Sequence, residues 1–104
     1  MLQKVEIIGN IVADAELKST KDGREFVSFR VAVDDGMGDS KRVTYYDVSY
    51  VKNGAFDYLK KGQCVYVTGG LSLAVVQKED KAFLNAYVFA RDRDVVLCGF
   101  SKDN

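Results

Sequence analysis

Leu2-Gln3-Lys4-Val5-Glu6-Ile7-Ile8-Gly9-Asn10-Ile11-Val12-Ala13-Asp14-Ala15-Glu16-Leu17-Lys18 opens the chain. It reads as a strand over residues 2–13 that breaks at Gly9-Asn10 and resumes toward a turn at Lys21-Asp22-Gly23. A long first strand bent at a glycine is how a small β-barrel turns a corner, because glycine relaxes the backbone where the sheet coils sharply. In the turn, Gly23 supplies the positive φ that a tight hairpin requires.

The rest of the chain repeats the strand signal. From Arg24 to Asp34, Val27, Phe29, Val31 and Val33 alternate with Phe26, Ser28, Arg30 and Ala32. That period of two describes a half-buried strand with the valine face inward. Asp35-Gly36-Met37-Gly38-Asp39-Ser40 is a loop, and Val43 to Val51 is a third strand rich in Thr, Tyr and Val. Asn53 reads as the N-cap of a short helix over Gly54–Lys61, closed by Gly62. Phe56 and Leu59 lie three apart on it and plug the bottom of the barrel. Gln63 to Gln77 is a fourth strand with a kink at Gly69-Gly70. Lys78-Glu79-Asp80-Lys81 is a hairpin tip, Ala82 to Arg91 the fifth strand, and Asp94 to Gly99 extends the sheet or packs on it. The expectation is an all-β chain, a five-stranded OB-fold barrel with one short helix between strands three and four, forming one domain over residues 1–104.

Composition narrows the function classes. The 104 residues are 47% hydrophobic, enough for one core. No apolar run approaches a membrane span and no leader pattern precedes the first strand, so a cytoplasmic protein is expected. Histidine is absent, no Cys/His cluster or phosphate-binding glycine pattern occurs, and the acidic pair Asp34-Asp35 reads as a solvated turn. These point away from an enzyme, a cofactor or a metal. Cys64 and Cys98 read as reduced thiols or, alternatively, a disulfide. Lys plus Arg and Asp plus Glu number 15 each, so the net charge is zero. Nucleic-acid binding by such a chain rests on local segregation of charge and on stacking, not on a basic excess.

Three segments in order carry a resemblance: Lys4, Val5, Ile8, Gly9, Asn10, Asp14, Glu16 and Leu17, then Tyr58-Leu59-Lys60-Lys61-Gly62, then Val65-Tyr66-Val67-Thr68-Gly69. Over roughly residues 2–99 the chain resembles the bacterial single-stranded DNA-binding proteins. The resemblance implies an OB-fold, sequence-independent binding of single-stranded DNA, a role in replication, recombination or repair, and assembly as a homotetramer or homodimer. It sets Tyr46, within Thr44-Tyr45-Tyr46, where the family carries a base-stacking tryptophan.

Aromatics interleaved with cations make a single-strand platform, with rings stacking bases and Lys and Arg tracking phosphates. The candidate DNA-binding residues are Lys4, Lys18, Phe26, Arg30, Lys41, Arg42, Tyr46 and Tyr50. Strand tyrosines also serve in cross-strand packing or at interfaces, and that reading stays open. The chain departs from the family in lacking Trp, in its short acidic loop, and in a fourth strand that reads Gly70-Leu71-Ser72-Leu73-Ala74-Val75-Val76 where the family carries cations. Leu73, Val75 and Val76 are therefore the candidate oligomer interface. The long acidic tail by which the family recruits replication proteins has no counterpart here, so no such recruitment is expected. The alternative function is an oligomerisation or protein-interaction module with weak nucleic-acid binding.

Overall fold

In the computed structural model of the chain, residues 3–34, 42–51, 54–91 and 95–98 are described. They form β1 (Lys4–Ile11), β2 (Glu16–Ser19), β3 (Glu25–Asp34), β4 (Val43–Tyr50), a 3-10 turn (Gly54–Tyr58), β5 (Cys64–Lys78), β6 (Lys81–Ala90) and β7 (Val95–Cys98). Hydrogen-bonded neighbours run β1-β3-β4-β6-β5, and β5 pairs β1 again, so five strands close into a ring. All the pairings are antiparallel except β4 with β6. β2 lies beside β3, and β7 beside β5. This is the expected OB-fold topology.

Closure takes place where the sequence places glycine. β1 runs along β5 from Lys4 to Asn10 and along β3 at Asn10 and Ile11, so Asn10 faces both Cys64 and Ala32. Here Gly9 packs on the β3 backbone: a Cβ on it would clash with the Ala32 carbonyl and meet Val31 Cγ1 at 2.8 Å. On β5 the change of partner comes at Gly69-Gly70, where Gly70 faces both Lys4 and Phe89. A Cβ on Gly69 would lie 2.6 Å from the Phe89 carbonyl oxygen.

The core follows the alternation. Ile7, Ile11, Val27, Phe29, Val31, Val48, Tyr50, Leu59, Val65, Val67, Val88, Ala90 and Val95 are buried inside the ring. Burying each Val, Leu, Ile or Phe stabilises the fold by about 1.5–3 kcal/mol relative to exposure. The expected helix over Gly54–Lys61 is one short 3-10 turn, ending at Tyr58. Its anticipated N-cap, Asn53, lies outside the described residues. Leu59 still fills the bottom of the core, with Phe56 packed against it. Asp14 holds the junction, its Oδ1 accepting from the Lys61 backbone N–H at 2.8 Å. Gly62 closes the turn at φ 89° and Gly23 has the same φ in the β2–β3 turn.

From Leu73 and its partner Ala86 outward, β5 and β6 project from the ring as a hairpin whose two-residue turn is Glu79-Asp80. Glu79 has a φ of 55° there.

Candidate nucleic-acid interface

The outer surface of the ring is built by the residues that alternate with the core. The register aligns Arg30 of β3 with Asp47 of β4, Asp47 with Tyr87 of β6, and Tyr87 with Ser72 of β5. One outward row thus crosses four strands. The neighbouring row is Ser28, Ser49, Phe89, Gly70 and Lys4. On the other side, Tyr45 faces Ala32. Tyr45 is 52% exposed, and Phe89 and Phe83 are exposed too.

Arg30 is the centre of this surface. Its Nε donates to Asp47 Oδ1 at 2.9 Å. Its guanidinium carbon sits 5.9 Å from the Tyr45 ring centroid, a cation–π distance. The hydrogen bond with Asp47, and after it that carboxylate's charge, raise the Arg30 pKa above its ordinary value. Asn85 Nδ2 donates to the Tyr87 hydroxyl at 3.2 Å and holds that ring's edge. An open groove of about 350 Å³ runs here, lined by Arg30, Val43, Thr44, Tyr45, Asp47, Phe83, Leu84, Asn85 and Ala86. A smaller depression on the other side of Arg30 is bordered by Asp14, Glu16 and Asp47. A second hollow joins Phe83 to Lys78 and Lys81 near the hairpin tip. The surface offers flat rings, one guanidinium partly neutralised by its partner, and acidic neighbours.

The anticipated site residues separate on this framework. Arg30 stands at the groove, Lys4 lies at the β1 end of the neighbouring outward row, and Arg42 is exposed just before β4. Lys18 faces the half-buried Phe26 across the β2–β3 pair, on the outer side of β3 but toward its far end. Lys41 lies outside the described residues. Tyr50, expected on the binding face, is 3% exposed and meets Phe29 edge-on at 6.1 Å in the core. Burial raises its pKa, and its ring is closed to a base. Tyr46 shares that inward parity and packs half-buried against the core. The face of β4 expected to present Tyr46 and Tyr50 is therefore the inner one.

Tyr45, Phe83, Asn85, Tyr87 and Phe89 escaped the sequence reading. The signal for Tyr45 was present: Asp47 shares its parity and is polar, whereas Val48 and Tyr50 continue an apolar face. Leu73 and Val75 are exposed on the projecting hairpin, on the side that continues the inner face, and Leu84 is exposed opposite Val75. Val76 is half-buried on the other side, opposite Phe83.

Comparison with known proteins agrees with this architecture. The family described as "Single-strand binding protein family" matches residues 2–96. A single-stranded DNA-binding protein of Rhizobium meliloti (strain 1021) is 31% identical over 110 residues, covering 96% of this chain. The chain spans 60% of that relative's length. Among solved structures, a Plasmodium falciparum SSB complex with ssDNA superposes with a TM-score of 0.69 at 17% identity, over 95% of this chain and 96% of that one. A small single-stranded DNA-binding protein from Streptomyces coelicolor gives a TM-score of 0.69 at 21% identity, covering 86% and 89% of the two chains. At such identities the structural likeness shows the fold.

Proposed function

Because the chain belongs to the single-strand binding protein family, we propose that it binds single-stranded DNA without regard to sequence, stacking bases on Tyr45, Tyr87, Phe89 and Phe83. The observation that carries this reading is the outward row Arg30–Asp47–Tyr87, with the Tyr45 ring beside the guanidinium. Every base has a face to stack, so such a surface tolerates any sequence, and each stacked base contributes about 1–3 kcal/mol. Arg30, Lys4, Arg42, Lys78 and Lys81 supply the phosphate contacts.

The same reading makes the protein a binding accessory of replication, recombination or repair in the cytoplasm, assembled as a homodimer or homotetramer. The apolar side of the hairpin, Leu73 and Val75 with Leu84, supports a subunit contact there, since exposed strands of this kind invite pairing. Val76 faces away from that side and is not included. A second reading, an oligomerisation or interaction module with weak nucleic-acid binding, draws on one specific observation: Asp47 already occupies the central cation.

Fluorescence anisotropy of labelled oligo-dT at low and moderate salt tests the proposal, with mixed-sequence single strands and duplex as comparators. Comparable binding of the single strands and much weaker binding of duplex is the expected outcome. Absence of binding in low salt removes the proposal and leaves the interaction module.

A further inference from the structure

Cys64 begins β5 and Cys98 ends β7, and the antiparallel register sets them directly opposite one another. The two Sγ atoms are 2.7 Å apart, and both residues are half-buried free thiols. Directly opposed residues of an antiparallel pair have Cα atoms about 4.5 or 5.5 Å apart. Either value suits a disulfide, which needs roughly 4.4–6.8 Å. The Gln63 side-chain amide donates to the carbonyls of both Cys64, at 3.0 Å, and Cys98, at 3.3 Å. It clamps the two strands at the level of the sulfurs.

We propose that Cys64 and Cys98 form a reversible dithiol–disulfide site, oxidised by a low-molecular-weight disulfide such as glutathione disulfide, that covalently ties β7 to β5. A protein thiolate attacks one sulfur of glutathione disulfide and expels a glutathione thiolate, leaving a mixed disulfide on the protein. The second cysteine gives up its proton, attacks the protein sulfur of that mixed disulfide and expels the other glutathione. Two protein S–H bonds and one glutathione S–S bond are lost. One protein S–S bond and two glutathione thiols are gained, so two electrons and two protons pass to glutathione. Burial, and after it the hydrogen bond with Cys64, push the Cys98 thiol up to about 11. The Cys98 thiol therefore stays protonated at neutral pH.

The consequence is local. β7 is four residues long and pairs β5 along Cys64–Val67, far along that strand from the hairpin and the aromatic groove. A bond joining positions 34 residues apart restricts the unfolded chain and adds a covalent anchor to an edge strand otherwise held by its hydrogen bonds and by Val95 and Leu97 at the core.

The test is to equilibrate the protein with glutathione disulfide and follow free thiols in denaturant, intact mass and thermal unfolding. The expected result is loss of both thiols, a mass lower by about 2 Da with no retained glutathione, and a monomeric band on a non-reducing gel. Tm should rise by on the order of 10 °C, and dithiothreitol should reverse every change. Persistence of both thiols, a stable glutathione adduct, a disulfide-linked dimer, or an unchanged Tm after full oxidation each overturns the proposal.

Discussion

The two halves of β5 carry the same alternation of apolar residues and meet opposite fates. From Cys64 to Gly70 the strand is flanked by β1, and over Cys64–Val67 also by β7. There Val65 and Val67 are fully buried. Beyond Gly70 the strand pairs β6 alone, and Leu73 and Val75, of the same parity, are 52% and 72% exposed. Periodicity decides which side chains share a face. Closure of the ring decides whether that face is covered.

The largest effect should come from charging the two halves in turn. Val67→Asp puts an unpaired carboxylate into the core, a penalty of several kcal/mol against a total stability of about 5–15 kcal/mol. Circular dichroism should find no cooperative thermal transition. Val75→Asp should leave the stability of the monomer within about 0.5 kcal/mol, as for an ordinary surface change. A folded Val67→Asp, or an unfolded Val75→Asp, would erase the distinction.

The hinge between the halves offers a finer contrast. Gly69→Ala drives a methyl onto the Phe89 carbonyl and Val88, whereas a Cβ on Gly70 has the Gln3 carbonyl, 3.9 Å away, as its nearest neighbour. Urea unfolding should show a loss of about 1–3 kcal/mol for the first, the range of an overpacked core. The second should be neutral or slightly stabilising. Equal losses would mean that both glycines serve backbone conformation and not close approach.

Much of this division was legible in the residues. The glycines at the changes of strand partner, Gly9 and Gly69-Gly70, the positive φ of Gly23 and Gly62 and the inward valines of β3 all follow from local chemistry, although β1 and β5 run through those glycines without a break. The ring was legible because five strands and one short helical segment came in an order that matches an OB-fold. The face of β4 was not legible in the same way. Thr44, Tyr46, Val48 and Tyr50 alternate correctly, but tyrosine suits either side of a sheet, and the resemblance drew attention to Tyr46 in place of its neighbour. Partner strands decide the matter: Val48 faces Phe29 and Tyr50 faces Val27, while Asp47 faces Arg30. Tyr87 and Phe89 went unnoticed because the role proposed for them depends on a parallel β4–β6 pairing between segments distant in sequence. The interface expected at Leu73, Val75 and Val76 depends on a covering surface that one chain does not contain.

Smaller effects concern the groove. Tyr45→Ala should weaken oligo-dT binding by about 1–2 kcal/mol, within the range for one stacked base, with Tm nearly unchanged. Tyr46→Ala should lower Tm first, since that ring leans on the core. The reverse pattern would return the stacking role to Tyr46. Asp47→Asn should give the smallest change, a few-fold gain in affinity, because Arg30 loses its competing carboxylate. The slope of log K against log salt should steepen by about 0.7, one further phosphate contact. A loss of affinity instead would show that Asp47 positions the guanidinium for the strand.

The central claim is that stacking belongs to the ring's outer face and self-association to the projecting hairpin. The most direct measurement compares two double variants, Tyr45→Ala with Tyr87→Ala and Leu73→Ser with Val75→Ser, by oligo-dT anisotropy and light scattering on the same samples. The account predicts that the tyrosine pair loses affinity on the order of 100-fold, about 1–2 kcal/mol at each site, at unchanged mass. The hairpin pair should fall to a lower mass while each chain keeps its groove. Loss of binding from the hairpin pair at unchanged mass, with the tyrosine pair binding normally, would contradict it.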